Sequence, residues 1–441
     1  MFSKKDLMRL IIPLIIEQAL AVTVGMVDSM MVTNVGEAAV SGVSIVDSIN
    51  VLLISLFSAL ATGGAVVAAQ FIGHKEGNKA CIAGEQLVAT VFVLSLGIMS
   101  LALLGGNSAL KFLFGDVDMD VMTNAKIYFF YSAMSYPFIA LYNACAALFR
   151  TMGNSKVSMT VSLIMNILHI IGCYLLIFVF DMGVAGAAIA TLGSRMFSAV
   201  TMMILLKNPK HVIHVNIIRS FRIDLFMIKR ILRIGIPNGL ENSVFQIGKI
   251  LVQGIIAGLG TSAITANAIA GTIGNLGTLP GSAMSLALLT VVGQCVGAGD
   301  YNAVKLYTRK LLVFAYKLMI GLNIIIIVLI PVILKLYHVS PETTQIATKL
   351  LIYHCILASL IWPLAFALPN ALRASNDVKY TMWVSMISMW IWRIGFSYVL
   401  AIQFEMGVLG VWVAMTIDWG FRALCFCIRF HKAKYRTMTM I

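Results

Sequence analysis

The chain has 441 residues, of which 60% are hydrophobic and only 11% are charged. A soluble core cannot use so much apolar surface with so little charge, so this composition excludes an ordinary globular protein and indicates a membrane protein. The formal net charge is +14, and the positions of the basic residues, described below, favour a topology signal over a nucleic-acid-binding surface.

Twelve apolar runs are long enough to cross a bilayer, which takes about 20 residues. They cover roughly residues 8–33, 42–72, 84–106, 124–150, 157–180, 184–206, 231–258, 264–296, 310–335, 346–372, 380–402 and 407–429. Lipid allows only helices or closed barrels as spanning structures, and these runs are continuously apolar rather than alternating. We therefore predict an all-α integral membrane protein with twelve transmembrane helices.

The first run returns 224 residues later in the chain. The matching pairs share residue type and spacing and are Arg9/Arg233, Pro13/Pro237, Glu17/Glu241, Gly36/Gly260, Gln70/Gln294, Gly73/Gly297 and Asn78/Asn302. A register held over this length predicts two copies of one unit. We expect two pseudo-symmetric six-helix bundles around a central cavity: an N-lobe over 1–206, a cytoplasmic linker over 207–228 and a C-lobe over 229–441.

Lysine and arginine cluster before the first run, after alternate runs and in the middle linker. The intervening loops contain few lysines or arginines, with Lys111 and Lys335 as the main exceptions. This distribution follows the positive-inside rule and predicts that both termini are cytoplasmic. The seven cysteines are scattered, so they predict neither a disulfide framework nor a metal-binding spacing.

The first run contains two acids, Glu17 and Asp28. Asp28 follows Pro13 by 15 residues, or about 22 Å along a helix. An aspartate at the centre of a membrane helix costs about 2.5–3.5 kcal/mol, and such residues usually face the bundle interior. Asp28 is therefore a candidate functional carboxylate, the alternative being a polar residue near the outer surface. Pro13 could bend this helix for function or simply kink it near its start.

Charged and titratable residues also lie in later runs. His169 aligns with Arg393 of the second copy; its imidazole could relay protons near neutral pH or be a neutral residue bonded at a helix interface. Glu241 and Lys249 lie eight residues apart on one helix face, where unpaired charges would be costly, so we expect them to pair with other helices or to line a cavity.

Two further patterns predict packing rather than chemistry. Asp418 and Arg422 are four residues apart and could satisfy each other on one helix face. Glycines at matching positions of the sixth and twelfth runs allow close helix packing in lipid; the pairs are Gly183/Gly407 and Gly186/Gly410.

Together these features resemble the multidrug and toxic compound extrusion (MATE) transporters over essentially the whole chain. The residues that carry the resemblance are Pro13 with Asp28, Gln70–Gly73, Arg150–Gly153 and the segment GVAGAAIAT at Gly183–Thr191. The resemblance implies two bundles arranged as a V, with a cavity that opens alternately to each side. It also implies export of organic, often cationic, compounds against inward Na⁺ or H⁺.

The residues implied for cation binding are only partly present. Asp28 is similar to the first-span acid of the DinF-type branch, and Thr191 to a cation-site threonine, which implies a Na⁺ site at Asp28 and Thr191. The asparagine and aspartate of the fifth span fall on His169 and Cys173 here, and hard cations prefer oxygen ligands.

The NorM-type branch uses acids of the second half instead. Glu241 lies one turn from the position expected for its seventh-span glutamate, and its tenth-span aspartate falls on Trp362. The chain therefore resembles the DinF-type branch more closely, although neither cation set is complete.

We predict a secondary active antiporter for amphipathic organic cations, coupled to H⁺ (or Na⁺). Asp28 would be the main exchanging carboxylate and Glu241 the second, because cation substrate and proton compete for the same acid. The predicted coupling and cavity residues are Asp28, Glu241, Pro13, His169, Thr191, Glu17, Lys249 and Arg393. We expect a monomer in a prokaryotic cytoplasmic membrane, with a small-molecule substrate, no cofactor and no nucleic-acid partner.

Three alternatives remain open. A flippase or exporter of an anionic or lipid-linked metabolite is favoured by Lys249, Arg393 and His169. An intramembrane transferase would need paired carboxylates in a cytoplasmic loop, which the sequence lacks. A channel is disfavoured by the two matching halves, which are typical of a rocking transporter.

Overall fold

The computed structural model describes residues 2–115, 117–216, 222–337 and 339–433. Within these ranges the first half of the chain forms six long helices: α1 (Lys4–Thr33), α2 (Glu37–Gly73), α3 (Gly77–Phe114), α4 (Met119–Thr151), α5 (Ser155–Val179) and α6 (Gly183–Leu206). The second half forms α7 (Leu225–Ala257), α8 (Thr261–Gly297), α9 (Tyr301–Leu336), α10 (Pro341–Ala374), α11 (Val378–Gln403) and α12 (Gly407–His431).

These helices confirm the predicted fold class. Eleven of them are long and apolar enough to cross a membrane. The remaining long helix, α7, is less apolar. Its middle contains several polar side chains, including Asn238, Glu241, Gln246 and Lys249. Large hydrophobic side chains remain exposed on the outer helices, for example Leu104 on α3 at 88% and Val328 on α9 at 70%, as expected for surfaces that face lipid.

The chain divides into two compact units, Phe2–Gly239 (the first unit) and Leu240–Ile441 (the second unit). This division falls inside α7, beyond the predicted linker 207–228, of which residues 217–221 lie outside the described part of the chain. In the first unit, α4 packs extensively against α2, α3 and α6, and α5 packs between α1 and α6. In the second unit, α8 packs mainly against α9 and α10.

Matching backbone features confirm that the helices repeat. Gly36 precedes α2 with a φ of 133°, and Gly260 precedes α8 with a φ of 99°; a side chain would be strained at both. Gly186 of α6 and Gly410 of α12 each lie against a backbone: an added Cβ would approach the neighbouring main chain within 2.9 and 2.8 Å, respectively. Gly186 and Gly410 are therefore close-packing positions, as predicted, whereas Gly407 is not, because an added Cβ there would meet no atom of the described residues within 4 Å.

Three of the helices contain π-helical turns that the sequence patterns did not predict. They lie at Leu175–Val179 in α5, Pro363–Ala367 in α10, and Met389–Gly395 and Val399–Gln403 in α11. Such turns widen the helix locally and occur frequently at functional sites. The buried Arg393 lies in one of them.

Candidate functional site

A cavity of about 420 Å³ lies inside the first unit. Helices α1, α2, α4, α5 and α6 all contribute to its wall. Its charged and polar lining residues are Asp28, Ser44, Asp47, Tyr128, Asn166, His169, Cys173, Thr191, Ser194 and Arg195. Three of the predicted coupling and cavity residues, Asp28, His169 and Thr191, therefore line one cavity.

Asp28 and His169 form the shortest ionic contact of this cavity. Nε2 of His169 lies 2.7 Å from Oδ1 of Asp28, a distance that places one hydrogen between the two atoms. The His169 side chain is 9% exposed and that of Asp28 is 39% exposed. The carboxylate is thus open to the cavity while the imidazole behind it is buried. His169 thus contacts Asp28 between α5 and α1 and lines the cavity, and the choice between its two predicted roles stays a prediction.

A second carboxylate, Asp47 of α2, lines the same cavity and was missed by the sequence analysis. Asn50 donates through Nδ2 to Oδ1 of Asp47 at 3.2 Å and accepts from the Tyr136 hydroxyl at 3.0 Å. Arg195 of α6, also missed, donates to the Ser135 hydroxyl at 2.7 Å. The available signal was the one used for Asp28: a charged residue inside a predicted span.

Cys173 lies one turn beyond His169 on α5, with Sγ 3.6 Å from Nε2 of His169. The donor atoms of Asp28, His169 and Cys173 all lie within 4.8 Å of one another and could hold a metal ion. The cysteine spacing alone carries no metal-binding pattern, so the sequence did not single out Cys173 for such a group. Sequence spacing could not reveal this group, because Asp28 and His169 are 141 residues apart.

Nitrogen and sulfur donors lie beside Asp28, at the place where the resemblance implies a Na⁺ site with Thr191. Na⁺ is a hard cation that prefers oxygen, whereas the atoms nearest to Asp28 in this group are an imidazole nitrogen and a cysteine sulfur. Thr191 lines the cavity and donates its hydroxyl hydrogen to the Ala187 carbonyl at 2.9 Å.

Glu17, predicted as a cavity residue, lies in a buried ion pair instead. Its Oε1 is 3.4 Å from Nη1 of Arg150 on α4, and its Oε2 accepts from the Ser158 hydroxyl at 2.9 Å. Pro13 lies inside the continuous helix α1, one turn before Glu17. Neither residue is among those that line the 420 Å³ cavity.

Glu241 repeats this arrangement in the second unit. Nη2 of Arg373 on α10 donates to Oε1 of Glu241 at 2.7 Å, and Nη1 of Arg373 donates to Asn370 at 2.8 Å. The side chains of Glu241 and Arg373 are 8% and 10% exposed. Glu241 thus pairs with another helix, one of the two outcomes expected for it, and its role as a second exchanging carboxylate stays a prediction.

Three cationic side chains surround one aromatic ring in the second unit. Nζ of Lys249 and the guanidinium carbons of Arg393 and Arg422 lie 4.9, 5.4 and 5.4 Å from the centre of the Phe245 ring. Asp418 contacts both arginines, at 3.6 Å from Arg393 and 2.8 Å from Arg422. The predicted pairing of Asp418 with Arg422 is therefore present.

Comparison with known families agrees with the repeat. The MatE family profile matches the chain twice, over residues 13–175 and 237–399, and these two ranges cover well over half of the sequence.

Curated relatives match over most of their length. The "Uncharacterized transporter YisQ" of Bacillus subtilis is 26% identical over 92% of this chain and 89% of its own. The "Probable multidrug resistance protein NorM" of Thermotoga maritima is 24% identical over 99% of this chain and 94% of its own. These names do not confirm the predicted DinF-type branch.

Solved structures share the fold. A multidrug resistance MATE family transporter of the MOP superfamily, in an outward-facing conformation, superposes with a TM-score of 0.92 at 18% identity, over 99% of this chain and 97% of its own. A MOP superfamily transporter from Pyrococcus furiosus, described as having a binding pocket of reverse polarity, superposes with a TM-score of 0.88 at 19% identity, over 99% and 97%.

Proposed function

Given that this chain belongs to the MatE family, and is a transporter rather than an enzyme, we propose that it exports amphipathic organic cations in exchange for H⁺. Family membership supports export of organic compounds; the coupling ion and the charge of the substrate are the parts that we propose. Alternating access, in which the transporter opens to each side in turn, is the mechanism expected of a transporter built from two repeated halves.

The observation that carries the proposal is the position of Asp28. Its carboxylate is partly exposed to the cavity, and its Oδ1 is 2.7 Å from the buried Nε2 of His169. A proton held between these atoms can be lost when a cationic substrate takes its place beside the carboxylate. Because substrate and proton would then compete for one site, binding of each would release the other, which is the requirement for antiport.

The lining of the cavity supports both the coupling ion and the substrate class. Nitrogen and sulfur donors beside Asp28 favour H⁺ over Na⁺ as the coupling ion. Two carboxylates, Asp28 and Asp47, line the cavity and would attract an organic cation. Apolar lining residues such as Met31 and Met165 provide flexible surfaces that can adapt to varied substrates.

The test is transport of a dye cation into inverted vesicles under imposed pH and Na⁺ gradients, applied separately. We expect the pH gradient to drive uptake and Asp28→Asn to abolish it. Asp120→Asn is the matched control, because Asp120 lies in the first turn of α4 and is exposed. Equal transport by the Asp28→Asn variant, at normal expression, would remove Asp28 from the mechanism; uptake driven by Na⁺ alone would contradict proton coupling.

A second candidate function, export of an anionic compound, is favoured by the cations around Phe245 in the second unit. Lys249, Arg393 and Arg422 surround this ring, and one carboxylate, Asp418, contacts the two arginines. If the substrate is anionic, vesicles should accumulate an anionic dye conjugate in preference to the dye cation, and Lys249→Met should reduce that accumulation. Unchanged accumulation in the Lys249→Met variant would exclude this lysine from substrate binding.

The remaining features of the proposal concern the cellular setting. We propose a monomer in a prokaryotic cytoplasmic membrane with both termini on the cytoplasmic side, supported by the distribution of lysine and arginine in the loops. Labelling of single cysteines, introduced near each terminus, with a membrane-impermeant reagent tests the orientation. Labelling in intact cells would contradict it.

A further inference from the structure

The structure brings three different metal-binding side chains together at one point of the first unit. Asp28 comes from α1, and His169 and Cys173 come from successive turns of α5. A carboxylate oxygen, an imidazole nitrogen and a thiol sulfur lie within 4.8 Å of one another. This combination of donors is not needed for a proton site, because the Asp28–His169 contact alone could hold the proton.

Two of the three donor separations lie within about 1 Å of those in a tetrahedral zinc site, and the third, between Asp28 and Cys173, is at most 4.8 Å. With Zn–S of about 2.3 Å and Zn–N of about 2.0 Å, neighbouring ligand atoms are separated by about 3.5 Å. Sγ of Cys173 lies 3.6 Å from Nε2 and 3.9 Å from Nδ1 of His169, so the thiol would have to rotate toward the Nε2 side of the ring to share a metal ion. The Asp28 oxygen, at 2.7 Å from Nε2, would need to move outward by less than about 1 Å, and its side chain borders the open cavity.

The surroundings leave one coordination position free. The side chains of Cys173 and His169 are buried, whereas Asp28 is 39% exposed on its cavity side. Three protein ligands with a fourth position left for water are typical of open zinc sites rather than of closed, four-ligand structural sites. The mixed nitrogen, sulfur and oxygen set also suits Zn²⁺ better than the hard cations Na⁺, Mg²⁺ or Ca²⁺.

We propose that Asp28, His169 and Cys173 bind Zn²⁺, with the fourth position taken by water from the cavity. On binding, the Cys173 thiol transfers its proton to water and ligates the metal as thiolate. Binding itself is independent of the transport proposed above. Its consequence rests on that proposal: zinc on Asp28 occupies the carboxylate needed for coupling, so zinc should inhibit export.

A competing site must be separated from this one. Sγ of Cys81 lies 3.6 Å from Nδ1 of His214, and this pair could also bind zinc. Cys81→Ser therefore serves as a control for the competing pair. Cys145→Ser serves as a control for loss of a buried cysteine, because Cys145 is fully buried on α4 beside Met203.

The experiment uses the purified full chain in detergent, titrated with Co²⁺ as a spectroscopic probe of a zinc site. We expect one Co²⁺ per chain, a thiolate-to-cobalt charge-transfer band, and displacement of the cobalt by Zn²⁺. The band should disappear in Cys173→Ser and persist in Cys81→Ser and Cys145→Ser. Asp28→Asn and His169→Gln should weaken Zn²⁺ binding by at least about tenfold.

Some outcomes would overturn the proposal. They are absence of the band in the parent chain, persistence of the band in Cys173→Ser, or its loss in Cys81→Ser. Thermal unfolding without metal checks that each variant is folded, and Cys173→Ala replaces Cys173→Ser if the latter is not. Zinc that binds as described but leaves export unchanged would contradict the coupling role of Asp28, not the metal site.

Discussion

The buried ion pair between Glu241 and Arg373 allows a quantitative prediction about what holds the second unit together. The Arg373→Met substitution would leave the Glu241 carboxylate, 8% exposed, without the guanidinium that now lies 2.7 Å away. Removing one partner of a buried pair costs about 3–5 kcal/mol, since an uncompensated charge remains inside. We therefore expect the free energy of unfolding to fall by about 3–5 kcal/mol.

The double variant Glu241→Leu/Arg373→Met separates the cost of an orphaned charge from the value of the pair. Because it removes both charges, it should recover most of the stability lost by Arg373→Met. Glu76→Gln is the control at an exposed pair: Nζ of Lys79 lies 3.0 Å from Glu76, with the side chains 56% and 34% exposed. This control should cost no more than about 1 kcal/mol.

The assay is reversible unfolding in mixed micelles, with the mole fraction of sodium dodecyl sulfate increased stepwise and helix content followed by circular dichroism. The midpoint and slope of each transition give the free energy of unfolding of each variant. The reasoning would be refuted if Arg373→Met were no less stable than Glu76→Gln, or if the double variant were as unstable as Arg373→Met alone.

Three further predictions use the same unfolding assay. Gly186→Ala should cost about 1–3 kcal/mol, because the new Cβ would lie 2.9 Å from the α5 main chain. Gly193→Ala, on the same helix with no atom within 4 Å, should be nearly neutral, and equal effects would contradict the packing argument. Asp418→Asn should cost about 3–5 kcal/mol, since two buried arginines lose their carboxylate; an unchanged midpoint would show that they do not depend on it. Asp377→Asn should cost about 1.5–3 kcal/mol, because it breaks a two-point contact with Arg429 at 2.6 and 3.0 Å, and a loss below that of Glu76→Gln would count against this contact.

The helices and their repetition could be predicted because both depend on patterns that continue along the chain. The length of an apolar run matches the thickness of the bilayer and so predicts a spanning helix. The constant 224-residue offset predicts the duplication. Helix ends were less accurate: α3 spans Gly77–Phe114, whereas the apolar signal covered only 84–106. The ends of such helices leave the hydrocarbon, so their polar residues carry no apolar signal.

Residue types and spacing marked members of the site one by one, whereas only the family resemblance placed them in one group. Asp28 and His169 were notable because charged or titratable residues are rare in spans, and Asp47 carried the same signal without being recognised. The meeting of α1 with α5 depends on packing between distant segments, which one sequence does not encode in its spacing. The resemblance marked Cys173 only as a replaced aspartate, and its distance of 3.6 Å from His169 needed the structure.

The paired glutamate–arginine contacts have a consequence for how the two halves can diverge. Glu17 pairs with Arg150 between α1 and α4, and Glu241 pairs with Arg373 between α7 and α10. The same kind of ion pair therefore joins corresponding helices in each copy. The interiors are then free to acquire different chemistries: carboxylates and an imidazole in one half, arginines and a lysine around an aromatic ring in the other. In a complete mutational scan, substitutions in the two ion pairs should reduce stability to a similar extent. Substitutions at equivalent interior positions of the two copies should have unrelated effects.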